Sequence, residues 1–351
     1  MRIQRPRTVR PGGRRRPGER AAMTAALPDE EWIEVIAPGA LSCVQDLGRA
    51  GWRHLGVGQG GALDPRCARL ANALVGNPAE AAVLELTLHG PTLRLRAPTR
   101  LALLGAPCEL RFDGRPLPAA RPLELPAGTV SIGGMRAGVR AWLAVAGGFA
   151  VEAALGSSAT DLRGGFGGLH GRALRAGDRL PLGPVRPPRR VDAPRVPGWW
   201  IDPDAGLDPH APIRYVATAA PALVAAAQRF GDSGWRVDPA SNRQGLRLGG
   251  EALDTPAAAG AGVSEPVAPG TIQLPADGQP IVLLADAQTV GGYPRLGRII
   301  AADLPRLAQA RPNAKLYFRA CDEDEAREAR RRMDADTARL RWAIADRLSG
   351  R

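Results

Sequence analysis

The sequence predicts a mainly β protein with a few helices, built as two β-rich halves followed by a long charged helix. Three observations predict it. Apolar residues recur with period two in short runs over residues 82–146 and again between residues 213 and 318. A proline-rich stretch without apolar pattern separates the two sets, and residues 322–348 place acidic residues first and basic ones later, as a helix dipole prefers. Strands at this spacing predict barrels or sandwiches, and 351 residues suffice for two domains with separate cores.

Residues 32–36 read as a first strand. Asp64-Pro65 then opens a helix that runs to Leu74 and stops at Gly76, since Asp caps free amides, Pro suits the first helical position and Gly tolerates the left-handed exit. Residues 84–89 and 92–96 alternate as strands, and Asp113-Gly114 behind residues 108–112 is a hairpin signal. Pro187-Pro188, Arg189-Arg190 and Pro194 mark a stiff linker. Strands are expected at 213–217, 245–248, 271–274, 281–285 and 316–318, with short helices near 221–230 and 304–310. The expected divisions are a leader at 1–30, a first half at 31–185, a linker at 186–211, a second half at 212–320 and a C-terminal helix at 321–351.

Of the net charge of +12, the first twenty residues supply +7 through eight arginines against Glu19, leaving +5 for the rest. No nucleic-acid footprint is predicted for the folded part. Residues 1–30 read as a disordered Arg-rich leader, or as an over-extended start ahead of Met23. Neither a signal sequence behind Arg14-Arg15-Arg16 nor a membrane-spanning run is predicted, so a cytoplasmic location is expected, with Cys43, Cys67, Cys108 and Cys321 as reduced thiols. The cysteines lack C-x-x-C spacing and the four histidines are scattered, so no metal site is expected.

All but one of the 47 basic residues are arginine; the exception is Lys315. A Walker loop, a biotin carrier and a Schiff-base enzyme each need a lysine in a particular setting, so this chain is expected to have no P-loop and no biotin attachment site. Gly56-x-Gly58-x-x-Gly61 spells the dinucleotide fingerprint but lacks the strand and parallel unit that the site requires, leaving anion binding by loop amides open.

Several groups of residues could carry chemistry. Asp286-Ala-Gln288-Thr289-Val-Gly291-Gly292-Tyr293-Pro294, behind the apolar run 281–284, brings a carboxylate, an amide, a hydroxyl and open backbone to the end of a buried strand. Asp286, Gln288 and Thr289 are the catalytic candidates. Gln45-Asp46-x-Gly48-Arg49 either clamps a small polar ligand or forms a turn in which Asp46 pairs with Arg49 and Gln45 bonds to backbone. Ser241, Arg243 and Arg247 either hold a carboxylate or pair with Glu251 and Asp254, and Gln273 and Glu265 are polar neighbours. The hydroxyl- and glycine-rich segment 156–172 contains no G-x-S-x-G elbow and reads as loop-shaping.

Taken in order, Val44-Gln-Asp-Leu-Gly-Arg49, Gly61-Ala-Leu-Asp64, Ala71-Asn-Ala-Leu-Val-Gly-Asn77, Gly171-Arg-Ala-Leu-Arg-Ala-Gly-Asp178, Gly245-Leu-Arg-Leu248 and Gln288-Thr-Val-Gly-Gly-Tyr-Pro294 resemble the biotin-dependent carboxyltransferase family. That family includes the 5-oxoprolinase C subunit, allophanate hydrolase subunit 2 and KipA-like proteins. The resemblance covers roughly residues 32–320. It implies two cyclophilin-like β-barrel domains and work in a complex with a KipI-like B subunit together with an A subunit. It implies an ATP-dependent amide hydrolase, with 5-oxoproline opened to glutamate, ATP being used at the level of the complex. The alternatives are the carboxyltransferase component of a biotin-dependent urea carboxylase and a regulatory module without turnover. The resemblance and the residue reading together give Gln45, Asp46, Arg49, Gly61, Asp64, Ser241, Arg243, Arg247, Gln273, Gly291, Gly292 and Tyr293 as substrate-binding candidates. The sequence departs from the family pattern at Ala219-Ala220-Pro221, Asn242, Gln244 and Ala287, where the family favours Gly-Pro-Gln, Asp, Met and Arg. These departures bear on the substrate more than on the fold.

Overall fold

The computed structural model describes residues 31–184, 191–205, 208–255 and 264–350. The expected leader, and residues 186–190 and 206–207 of the expected linker, lie outside them. The first half contributes β1 (Trp32–Ala37), β2 (Leu41–Gln45), β3 (Val83–Thr87), β4 (Thr92–Leu95), β5 (Thr99–Gly105), β6 (Cys108–Phe112), β7 (Arg115–Leu117), β8 (Leu123–Leu125), β9 (Gly128–Met135), β10 (Arg140–Val145) and β11 (Arg179–Pro181). They form two antiparallel sheets, ordered β11-β1-β4-β9-β6-β7 and β2-β3-β10-β5-β8. The hairpin at Asp113-Gly114 joins β6 to β7 with both residues at positive φ, +44° and +77°, as a primed turn requires.

Alternate residues of both sheets, among them Val35, Leu84, Leu93, Leu103, Val130 and Leu143, face one another as a sandwich core. Behind the five-stranded sheet lies α1 (Pro65–Val75), which starts where Asp64 accepts a bond from the Cys67 amide at 3.0 Å and ends at Gly76, φ +84°. Strands β3 and β10 are therefore buried on both faces.

The second half is a closed barrel of β12 (Ile213–Ala217), β13 (Gly234–Val237), β14 (Gly245–Gly249), β16 (Thr271–Gln273), β17 (Ile281–Leu283), β19 (Arg295–Ile299) and β20 (Lys315–Ala320), while β15 (Glu265–Pro266) and β18 (Val290–Gly291) form a small ribbon beside it. Its ring order is β12-β19-β16-β17-β14-β13-β20, closed by the parallel pair β12 and β20. Helix α2 (Val224–Asp232) brings Phe230 against Tyr215, Trp235 and Phe318, with ring centroids 5.2, 5.5 and 4.6 Å away. The short α3 (Leu304–Ala308) precedes β20. Helix α4 (Glu323–Ser349), capped by Asp322, packs against α1 and β12 and buries only Ala329 and Ile344 of its length. Among the described residues no helix is long and apolar enough to cross a membrane.

Candidate functional site

The outer face of the five-stranded sheet carries polar residues toward the second half. Glu85 on β3 is 1% exposed, and its Oε2 accepts from the Trp142 indole at 3.0 Å and from the Leu63 amide at 2.8 Å. Arg243, in the turn before β14, reaches across from the barrel. It donates to Glu85 Oε1, to the Gly61 carbonyl at 2.7 Å, and through Nε and Nη2 to both oxygens of Asp286 at 2.8 Å. Arg140 lies 3.7 Å from the same Glu85 and donates to the Ala308 carbonyl at 2.7 Å. Gln309, just past α3, accepts from the Val139 and Arg140 amides and donates back to the Arg140 carbonyl. The halves are thus joined by a buried ion network whose charges are paired and hydrogen-bonded, the setting in which such groups are tolerated away from water.

The loop after β2 forms the first-half wall of this seam. Gly48 and Gly61, at φ +84° and +87°, let two backbone segments cross so closely that a Cβ on Gly61 would lie 2.6 Å from the Gly48 nitrogen. The crossing is held by bonds from the Arg49 amide to the Gln59 carbonyl and from the Ala62 amide to the Asp46 carbonyl, both 2.8 Å. Asp46 does not pair with Arg49. It accepts from the Gly48 amide (2.7 Å), the Ser157 hydroxyl (2.6 Å) and the Ser158 amide (2.6 Å), pinning the 156–160 segment. Gln45 bonds to backbone, donating to the Thr160 carbonyl at 3.1 Å.

Arg49 is 1% exposed. Its Nη2 donates to the Ala159 carbonyl and its guanidinium lies 4.7 Å over the Phe166 ring, but Nε and Nη1 meet no acceptor. Burial pulls its pKa down from the usual arginine range, opposed by Asp161, Asp46 and Asp286. Burial likewise raises the Asp286 carboxyl, against the pull of Arg243.

A second group lines the segment after β17. Gln288 donates to Gln273 Oε1 at 3.4 Å, and Gln273 Nε2 is buried without a partner beside Gly291. Thr289 is buried, and its carbonyl accepts from the Val267 amide at 3.0 Å. Arg53 donates to the Val267 carbonyl and keeps Nη1 buried and unmet. Gly58 approaches the Ala287 carbonyl and the Gly60 amide donates to the Ala285 carbonyl at 3.1 Å, so the first-half loop lies along 285–289.

Gln45, Asp46, Arg49, Gly61, Arg243 and Asp286 therefore come together, and Gln273, Gln288, Thr289 and Gly291 sit beside them. Asp64 is close by as the cap of α1. Gly292 and Tyr293 follow on the rim, where Tyr293 is 52% exposed. Ser241 and Arg247 lie apart, bonded to each other through Ser241 Oγ and the Arg247 amide at 3.0 Å, with the Arg247 side chain exposed. Glu251 and Asp254 pair with Arg229 instead. The sequence reading missed Glu85, Arg140, Trp142, Phe166 and Gln309. A charged residue inside the run Leu84-Glu-Leu-Thr-Leu was the available signal, but alternation assigns it to the solvent face.

Among the described residues, the 56–61 loop left open for anion binding is taken up by contacts of the fold itself. The Gly60 amide is spent on Ala285, Gly61 is packed on Gly48, and the first turn of α1 is closed by its own Asp64. Lys315 stands on β20 over the Tyr317 ring, 5.1 Å from its centre, not in a loop. Among the described residues no cluster of three or more His, Cys, Asp or Glu side chains could hold a metal ion.

The family model for the carboxyltransferase domain, subdomain A and B, matches residues 55–320. The chain is 38% identical to the 5-oxoprolinase C subunit of Escherichia coli over 316 residues, covering 89% of this chain and 98% of the relative. It is 31% identical to the Haemophilus influenzae protein of the same name, covering 90% and 99%. Among solved structures, Kluyveromyces lactis urea carboxylase superposes with a TM-score of 0.79 at 26% identity, over 90% of this chain and 30% of the larger one. Fold, motif order and these matches together place the chain in the biotin-dependent carboxyltransferase family.

Proposed function

We propose that the chain is the C subunit of an ATP-dependent 5-oxoprolinase, inactive alone, which opens 5-oxoproline to glutamate in a complex with a KipI-like B subunit together with an A subunit. The observation that carries this reading is the end-to-end match with two proteins that bear the name of that 5-oxoprolinase component, whereas the yeast urea carboxylase contains the equivalent region as less than a third of its length. In the reaction, water supplies oxygen to the new carboxylate, the lactam C–N bond breaks and its nitrogen becomes the amine. Nucleotide binding is shared with the partner proteins or supplied by them. The seam contributes Asp286, Gln288 and Thr289 as orienting groups, held on a rigid strand end.

A second reading, carboxyl transfer to urea with a biotinyl partner, is favoured by the superposition on urea carboxylase. Co-expression with the two partner proteins, purification of the assembled complex and assay of glutamate separate the readings. ATP- and 5-oxoproline-dependent glutamate release is expected. A well-formed complex that releases none, yet carboxylates urea once a biotinylated carrier is added, contradicts the lactamase reading.

A further inference from the structure

Helix α4 has two unlike faces. One packs on the body of the protein, burying Ala329 and Ile344 and setting Leu340 and Leu348 against the core. The other turns Arg331, Ala335, Ala338, Trp342 and Ala345 to solvent, at alternating spacings of four and three residues, so that they stand one above another on a single ridge. Trp342 is 71% exposed. The family model ends at residue 320, ahead of this helix, so the family match assigns the ridge nothing. A lone exposed tryptophan needs no explanation. The charges beside it do.

Arg327, Arg330, Arg332 and Arg339 each find a carboxylate one turn away on α4, at 2.7, 2.7, 2.8 and 3.0 Å. Among the described residues no ion pair joins Arg331 or Arg341 to a carboxylate. Arg331 lies on the ridge and Arg341 at its edge. A second copy of the helix, laid antiparallel so that Ala335 faces Ala338, supplies what both lack. Arg331 then meets the Trp342 ring of the second copy, and Arg341 meets its Asp334, each contact occurring twice by symmetry. Asp334 accepts from Arg330 on Oδ2, leaving Oδ1 for a second donor. The alanines allow the helix axes to approach to about 8 Å. On the opposite edge Arg332 faces Arg339 of the second copy, each already neutralised by Glu328 or Asp336 of its own helix. Sliding the pair by one heptad sets Arg341 against its own counterpart or against Arg327, and a parallel pair sets Arg331 against itself. The charges thus select one register.

We propose that the exposed face of α4 binds a second copy of this chain, the two helices antiparallel, with Trp342 of each beneath Arg331 of the other and Arg341 of each paired with Asp334 of the other. The occupant follows from the complementarity of the ridge to itself: it carries both the cations and the groups that answer them, at matching distances from one centre. The alanines contribute little apolar area and the charges are exposed, so the dimer is of micromolar affinity and weakens with salt. The inference stands apart from the proposed reaction.

Analytical ultracentrifugation of the full chain, from low micromolar to a few hundred micromolar and at low and high salt, tests it. A reversible monomer–dimer equilibrium is expected, shifted toward monomer by salt. Trp342→Ala and Arg341→Asp are each expected to weaken it about tenfold or more, the second because it sets two carboxylates face to face. The double variant Asp334→Arg, Arg341→Asp is expected to recover it, since the charges change places and stay opposite. All three positions are exposed, so an unchanged Tm shows that the fold is kept. A chain that stays monomeric at every concentration overturns the proposal, even where the same face then takes a different protein. A dimer indifferent to Trp342→Ala and Arg341→Asp, or a double variant no better than Arg341→Asp alone, also overturns it.

Discussion

Arg243 spends its donors on Glu85 and Gly61 from the first half and on Asp286 from its own. Removing one partner from such a buried set leaves an uncompensated charge, so Arg243→Met is expected to lower stability by about 3–5 kcal/mol, read from urea unfolding of the purified chain. A loss under about 1 kcal/mol would mean that the network contributes little. The same saturation explains why the three arginines singled out in the sequence part company: Arg243 is consumed by structure, Arg247 is exposed on the barrel, and Arg49 retains unmet nitrogens. Their residue type was legible in the sequence. Their partners were not, because Glu85 precedes Arg243 by 158 positions and no local pattern links them.

At the scale of elements, helix α1 and the hairpin at Asp113-Gly114 were legible because each is fixed by neighbours in sequence. Asp64, the cap of α1, is buried, and burial raises its carboxyl pKa against the Cys67 hydrogen bonds. With the folded value above the unfolded one, the folded state holds the proton more tightly. The associated stability is present at low pH and is lost as pH rises through the raised value. Asn caps as well as Asp but does not titrate. Asp64→Asn is therefore expected to gain on the wild type as pH rises from acid to neutral in parallel thermal melts, whereas Asp64→Ala, which does not titrate either, lies about 1 kcal/mol below Asp64→Asn at every pH. A constant gap between Asp64→Asn and wild type across that range would contradict the raised pKa. Strand β3 illustrates what a pattern hides: alternation places Glu85 outward, but outward here means into the seam beneath the second half.

At the scale of the molecule, closure of the barrel depends on the parallel pairing of β12 with β20, about a hundred residues apart, and the period of each strand says nothing of it. The meeting of the 46–61 loop with residues 285–289 is likewise a property of the assembled halves. The sequence marked both segments as polar, glycine-bearing strand ends; only the fold puts them face to face. Joined there by Arg243 and backed by Gln309, they make a rigid setting for the unmet donor of Arg49. A crystal structure of the chain grown with 5-oxoproline tests most directly whether this seam is the working site. Lactam density is expected at the seam between the 46–61 loop and residues 285–289; lactam bound elsewhere, for example in the groove between Trp199 and Arg347, with that seam unchanged, would contradict it.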